Sequence, residues 1–210
     1  MIRDAWFDSL RTVGLREQHG WLAQLPARVE RIANFGCWSG CEPFALMWIL
    51  DASEVMVVEK EEKYIEELNN QFEIVNHRYP ESLQGRAINS VCCDMTQPIP
   101  ELTDGYFDLA YCENVLYTLP IQGGLDALER GIRQMIRVVK PNGFVVAVEP
   151  KFGAKFETQR CDALGIDISL PVRISEPEDM SHLFSSSGLR KLGVPGYPPY
   201  TYCYQKNRIE

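Results

Sequence analysis

Between residue 29 and about residue 149 the spacing of apolar positions switches back and forth between two patterns. Runs of roughly four to eight mostly apolar residues alternate with stretches whose apolar side chains recur every three or four positions, the signatures of buried strands and amphipathic helices. The strands read as Arg31 to Phe35, Glu54 to Val58 with Glu59 at its end, Arg86 to Cys93, Tyr106 to Cys112, and Phe144 to Val148. Between them, Pro43 opens a helix carrying Phe44, Ala45, Leu46, Trp48 and Ile49, and a charged helix runs over 61–78. A further helix carries Ile132, Met135, Ile136 and Val139; Lys140 complements its C-terminus, and Pro141, Asn142 and Gly143 form a turn into the next strand. Strand and helix in alternation, without repeats or a long linker, predict an α/β fold with a parallel sheet.

The flanks differ. Residues 4–24 predict one or two leading helices, with Trp6, Phe7, Leu10, Val13, Leu15, Trp21 and Leu22, which either cap the sheet or cover a ligand. Residues 151–175 lack a strong period and read either as a lid or substrate wall or as a plain connection. The tail predicts a helix near 176–187, a strand near 189–194, a loop over 195–199 and a strand near 201–206, which together favour a terminal antiparallel pair.

Composition narrows the class. At 210 residues and 45% hydrophobic content the chain can bury one substantial core, so a single domain over 1–210 is expected. A net charge of −8 disfavours nucleic acid and anionic membrane as partners and favours a small molecule or a protein. No apolar run approaches the roughly 18 residues of a membrane span, and no secretory signal precedes the first helix pattern, so a cytoplasmic location is expected. The seven cysteines (Cys37, Cys41, Cys92, Cys93, Cys112, Cys161, Cys203) are odd in number and lack a C-x-x-C pair. They read as small buried hydrophobes, and no metal is expected. His19, His77 and His182 are scattered through helix-like contexts and read as ordinary surface or packing residues.

Candidate chemistry begins where the first strand breaks. Ile32, Ala33 and Phe35 end in a turn in which Gly36 and Gly40 let backbone approach a ligand, although the same punctuation also serves plain packing. A dinucleotide fingerprint started at Gly36 would need glycine at Trp38 and Cys41, and both fail. Without close approach at the second glycine the backbone cannot cradle a pyrophosphate, which excludes NAD and FAD and leaves ligands lacking that group. Glu59 stands at the crevice end of the second strand, where its two oxygens can accept both hydroxyl hydrogens of a ribose. The alternative is a solvated charge, because Lys60, Glu61, Glu62 and Lys63 follow at once.

The run Asn34-Phe35-Gly36-Cys37-Trp38-Ser39-Gly40 resembles motif I of class I S-adenosylmethionine-dependent methyltransferases, acid, apolar, Gly, x, Gly, x, Gly. Here an amide replaces the acid and tryptophan the middle glycine. Further family features resemble Glu59, Asp94 with Met95 after the third strand, Cys112 to Asn114 after the fourth, Asp108 in Phe-Asp-Leu, and Val-Lys-Pro-Asn-Gly before the fifth. The likeness covers about residues 29–149 in order. It implies a Rossmann-like three-layer sandwich, a seven-stranded mostly parallel sheet with a reversed last strand; within that single domain 1–28 reads as an N-terminal helical cap, and 151–175 as either a substrate lid or a connection. It also implies S-adenosyl-L-methionine as cofactor. By the same resemblance Gly36, Trp38 and Gly40 hold the methionyl region and Glu59 the ribose, and Asn34, Phe35 and Lys60 belong to the cofactor-binding set. Asp94 and Met95 hold the adenine, and Cys112, Glu113 and Asn114 line the methionine end. Asp94 as a turn cap and Met95 as core packing remain the alternatives.

A sulfonium-activated methyl group needs alignment more than covalent help, so orientation supplies most of the rate. If the acceptor is a hydroxyl or amine, Glu113, Tyr117, Glu149 and His182 are the candidate bases. The expected function is methyl transfer to a small-molecule acceptor. The alternatives are an enzyme acting on protein or RNA, and a non-catalytic protein that kept the fold, the last motivated by Asn34 and Trp38.

Overall fold

Seven strands hydrogen-bond into one sheet: β1 (Arg31–Phe35), β2 (Glu54–Glu59), β3 (Ala87–Cys92), β4 (Phe107–Glu113), β5 (Val139–Val148), β6 (Leu189–Lys191) and β7 (Thr201–Lys206). Their order is β3-β2-β1-β4-β5-β7-β6. The first five run parallel, and β7 lies antiparallel to both β5 and β6. The reversed strand beside the fifth is therefore as the sequence predicts. The structure is a computed structural model describing residues 14–37, 40–149, 177–193 and 201–207. Trp38, Cys161, the segment before residue 14, the 151–175 segment and the 195–199 loop lie outside the described residues.

Among the described residues five helices flank the sheet: α1 (Leu15–His19), α2 (Glu42–Leu50), α3 (Glu62–Arg78), α4 (Leu119–Val138) and α5 (Pro177–Ser186). Alternate residues of each central strand feed two separate cores. Leu109 and Tyr111 of β4 pack with Trp21, Phe44, Trp48 and Leu68 on one face. Phe107, Ala110 and Cys112 pack with Leu128, Met135 and Phe184 on the other. Burial on both faces is why these strands read as continuous apolar runs rather than alternating ones. The edge strand β3 is mostly exposed, and Asn89 and Ser90 occupy its middle.

Two elements depart from the sequence reading. α4 starts at Leu119, well before the pattern recognised from Gly131, and is broken at Gly123 and Gly124, the latter with φ 67. The glycine pair hides the earlier turns from a periodicity search. The Pro141-Asn142-Gly143 turn is folded into β5 as a bulge: Phe107 faces Val139, yet Leu109 faces Phe144, with Asn142 at φ 65. Lys140, expected to serve the helix end, instead pairs with buried Asp108. Asp108 Oδ2 also accepts the backbone N–H groups of Glu30 (3.1 Å) and Arg31 (2.9 Å), tying the start of β1 to β4 and to the β5 bulge.

Gly40 shows what fixes the turn after β1. Its φ is 70, and a Cβ there would lie 2.7 Å from both the backbone nitrogen and the Cα of Leu68 in α3. Gly85, at φ 72, faces open space. In urea unfolding, Gly40→Ala is expected to cost about 2 kcal/mol more than Gly85→Ala, because both bear the left-handed strain and only the first meets backbone. Equal costs would contradict the packing account. Asp108→Ala strands two backbone donors and is expected to lower stability by roughly 2–3 kcal/mol; an unchanged urea midpoint would show that the tie carries no weight.

Candidate functional site

Every described candidate for cofactor contact lies at the C-terminal edge of the parallel strands, where α/β sheets bind ligands. β1 ends in Asn34 and Phe35, and the chain turns at Gly36, φ 83, whose N–H donates to Val58 O of β2 at 2.7 Å. A Cβ on Gly36 would meet Val115 Cγ2 at 2.7 Å, so both glycines of the turn answer to the protein's own packing. Glu59, 8% exposed, is fixed across this turn: Oε2 accepts the Cys37 N–H at 3.0 Å and Oε1 the Glu61 N–H at 3.0 Å. A carboxylate oxygen accepts more than one hydrogen bond, so each oxygen retains capacity for a hydroxyl donor. Burial, reinforced by the negative charges of Glu59 and Glu42, pushes the Cys37 thiol far up, so it stays protonated.

After β3, Asp94 Oδ1 accepts the Thr96 N–H at 2.8 Å and Oδ2 lies 3.6 Å from the exposed Lys60 ammonium. Burial pushes the Asp94 carboxyl up, but the hydrogen bonds from Thr96 and the Lys60 charge outweigh it and hold the pKa below the ordinary value. Met95 is buried in the core on the α4 side of the sheet, as are Phe35 and Cys112. These three therefore reach the crevice through backbone rather than side chain. At the end of β4, Asn114 takes φ 55 and donates its N–H to Val148 O at 2.8 Å.

The four candidate bases are not assembled into one centre. Glu149 is buried, and its carboxylate accepts the N–H groups of Leu116 (3.1 Å) and Tyr117 (3.3 Å), bracing the turn that leads into α4. Tyr117 is buried at that turn, while His182 is exposed on α5. Glu113 belongs to a charge cluster of which only it and Asn34 were expected at the site.

That cluster centres on His19, which is fully buried. Its Nδ1–H donates to Leu15 O at 2.9 Å, and its Nε2–H donates to Glu113 Oε2 at 2.9 Å, with Glu42 Oε2 3.8 Å away. Gln18 and Tyr111 also donate to Glu113, the latter at 3.2 Å. Asn34 Nδ2 donates to Glu42 Oε1 at 2.7 Å and to Gly36 O at 3.1 Å, while Asn34 Oδ1 is buried without a hydrogen-bond donor. Burial opposes the His19 charge, but its hydrogen bonds to Glu113 and Glu42 prevail and raise its pKa to about 10. For Glu113 burial works upward and the His19 contact prevails, leaving the pKa lowered. Burial, together with the Glu113 charge, raises Glu42 to about 7 despite His19 and Asn34. The His19 ring nitrogen and the Glu42 and Glu113 carboxylate oxygens lie within 4.8 Å of one another, close enough to share a proton. His19 as an ordinary packing residue is thus corrected: it is a buried cation, and the sequence signal for it was absent, because its partners lie far along the chain.

The six described cysteines are thiols, with Cys37, Cys41, Cys112 and Cys203 buried and Cys92 exposed. Among the described residues no helix is long and apolar enough to cross a membrane.

No curated protein matches the sequence. Among solved structures, N-methyltransferase NodS from Bradyrhizobium japonicum WM9 in complex with S-adenosyl-L-homocysteine is 14% identical, with TM-score 0.61 over 96% of this chain and 90% of that one. Geranyl diphosphate methyltransferase in complex with SAM is 12% identical, with TM-score 0.64 over 93% and 86% respectively. A chain from the complex of the Haloferax volcanii Trm112 methyltransferase activator with a methyltransferase is 12% identical, with TM-score 0.64 over 98% and 97%. At these identities the likeness establishes the fold. The family model described as "Methyltransferase domain" matches residues 34–147, from the last residues of β1 almost to the end of β5. That span exceeds half the sequence and contains the glycine turn and both acidic strand ends, so the chain belongs to the methyltransferase domain family.

Proposed function

We propose that this methyltransferase uses S-adenosyl-L-methionine to methylate a small-molecule acceptor, with the nucleoside lying across the ends of β1, β2 and β3. The observation that carries the reading is Glu59: a carboxylate at the end of β2, held by one backbone N–H on each oxygen and able to accept one more donor on each. A ribose diol presents two such donors. The buried, unpaired Asn34 Oδ1 is a second fit, since it calls for an N–H donor that the described chain does not supply. When bound, the cofactor supplies a methyl group activated by the adjacent sulfonium cation.

The chain's own contribution is placement. Glu59 orients the ribose, Asp94 accepts from the adenine amino group, and the Gly36 turn keeps β1, β2 and β4 in register around the methionyl end. Glu149 is occupied by backbone N–H groups and Glu113 by an imidazolium, so both brace the fold rather than serve as bases. Rate enhancement then rests on orientation, as a transfer with a pre-activated donor allows. A small acceptor is favoured by the net charge of −8, which suits neither nucleic acid nor an anionic surface. NodS and geranyl diphosphate methyltransferase, named for small acceptors or for N-methylation, are compatible with it.

Titration calorimetry with S-adenosylmethionine and S-adenosylhomocysteine tests this directly. Both are expected to bind, and Glu59→Gln is expected to weaken binding about 10-fold or more, the loss of hydrogen bonds to a charged acceptor. Glu62→Gln, on the exposed start of α3, is expected to change it less than twofold. Folded protein that binds neither compound at millimolar concentration would sink the proposal. Equal effects of the two variants would reject the ribose role of Glu59.

A further inference from the structure

Among the described residues, the cluster at the end of β1 holds one more carboxylate than cations. Where the family pattern places an acid, this chain has Asn34, yet a carboxylate returns to the same place from the first turn of α2: Asn34 Nδ2 holds Glu42 Oε1 at 2.7 Å. His19 from α1 brings one cation, and Glu42 and Glu113 bring two anions. Among the described residues, the other groups facing Glu42 do not close the balance. Asn34 and Tyr111 are neutral, and the thiols of Cys37 and Cys112 are held protonated by burial. The same place contains an unpaired buried acceptor, Asn34 Oδ1. Excess negative charge beside an unused acceptor describes a pocket for a cation that carries N–H donors. Glu42 is not sealed off, its side chain keeping 15% exposure.

We propose that Glu42, positioned by Asn34, is the anionic contact for the α-ammonium of the cofactor's methionyl group, and that the arriving ammonium displaces a proton from the Glu42 carboxyl group. The inference rests on the reading that S-adenosylmethionine occupies this crevice. In the step, the Glu42 O–H bond breaks, its electron pair stays on the carboxylate, the proton leaves to buffer, and an ammonium N–H takes its place. Asn34 is the positioning residue. It turns the Glu42 carboxylate toward the end of β1 and presents its own carbonyl oxygen as a second acceptor. The proton is available because burial and the neighbouring Glu113 hold the Glu42 pKa at about 7, despite His19. A carboxyl group raised toward neutrality carries its proton in a share of the molecules at pH 7.

The test is calorimetry on the full chain at pH 7, in phosphate and in Tris, whose ionisation enthalpies differ widely. The probes are S-adenosylhomocysteine, which bears the α-ammonium but no sulfonium, and 5′-methylthioadenosine, which lacks the amino acid altogether. The homocysteine compound is expected to show a buffer-dependent enthalpy, the sign of proton release, and methylthioadenosine none. Glu42→Gln is expected to abolish the buffer dependence and weaken S-adenosylhomocysteine about 10-fold or more, leaving methylthioadenosine within about twofold. Asn34→Asp in the Glu42→Gln background returns a carboxylate to the end of β1 and is expected to recover most of the affinity. Methylthioadenosine binding accompanied by a buffer-independent S-adenosylhomocysteine enthalpy would overturn the Glu42 role and leave the cofactor reading intact. Binding of neither probe would overturn that reading and this inference together. If Glu42→Gln does not fold, the two buffers and two probes on the wild-type chain still decide.

Discussion

The turn between β1 and α2 is the constraint on which the rest of the crevice depends. Gly40 brings it against the backbone of α3 with no space for a Cβ, and Gly36 brings it against Val115 beyond β4. Those two approaches determine where the Cys37 N–H points, and hence where the Glu59 carboxylate is held. They also set the start of α2, and so the place where Glu42 meets Asn34. A turn loosened by either contact would displace both acidic positions at once, because both are referenced to the same few backbone atoms. Close packing of this kind transmits small displacements rather than absorbing them.

The His19 cluster is a poor device for stability. A buried ion pair recovers its desolvation cost only with good geometry and full hydrogen bonding, and apolar replacements are often at least as stable. Here one acceptor is unpaired and the carboxylates outnumber the cation. A fold selected for stability alone has little reason to keep such an arrangement, whereas a site that awaits a cation does. The same contacts draw α1 over the crevice, since His19 and Gln18 both reach Glu113 at the end of β4. α1 is therefore tied to the end of β4.

Legibility in the sequence followed the range of the interactions. β1, β2 and β4 were readable because each is buried on both faces and declares itself locally as an apolar run. The acidic strand ends were readable because their position depends only on where those runs stop. The β5 bulge was not, since Pro141, Asn142 and Gly143 carry the chemistry of a free turn and only the Asp108 and Lys140 contact folds them into the sheet. Phe35, Met95 and Cys112 are readable as residues at or just past strand ends, but which face each side chain takes depends on sheet register. His19 was the hardest: its partners Glu42 and Glu113 are brought to it only by the folded sheet, and no local pattern distinguishes a buried imidazolium from a packing histidine. Asn34 gave the one hint, as an amide where an acid was expected, but the compensating acid lay eight residues away.

Placing that acid at Glu42 also has a kinetic logic. Methyl transfer turns a sulfonium into a neutral thioether, so an anion stabilising the sulfonium itself would lose its interaction as the reaction proceeds and would hold back the chemical step. The α-ammonium keeps its charge throughout. A carboxylate aimed there binds ground state and transition state alike, contributing affinity without raising the barrier. On the proposed assignment, Glu42 and Asn34 govern how tightly the cofactor is held, while alignment of acceptor and methyl falls to the far side of the crevice. Loss of the Glu42 charge would then appear in cofactor KM, with kcat at saturation nearly unchanged.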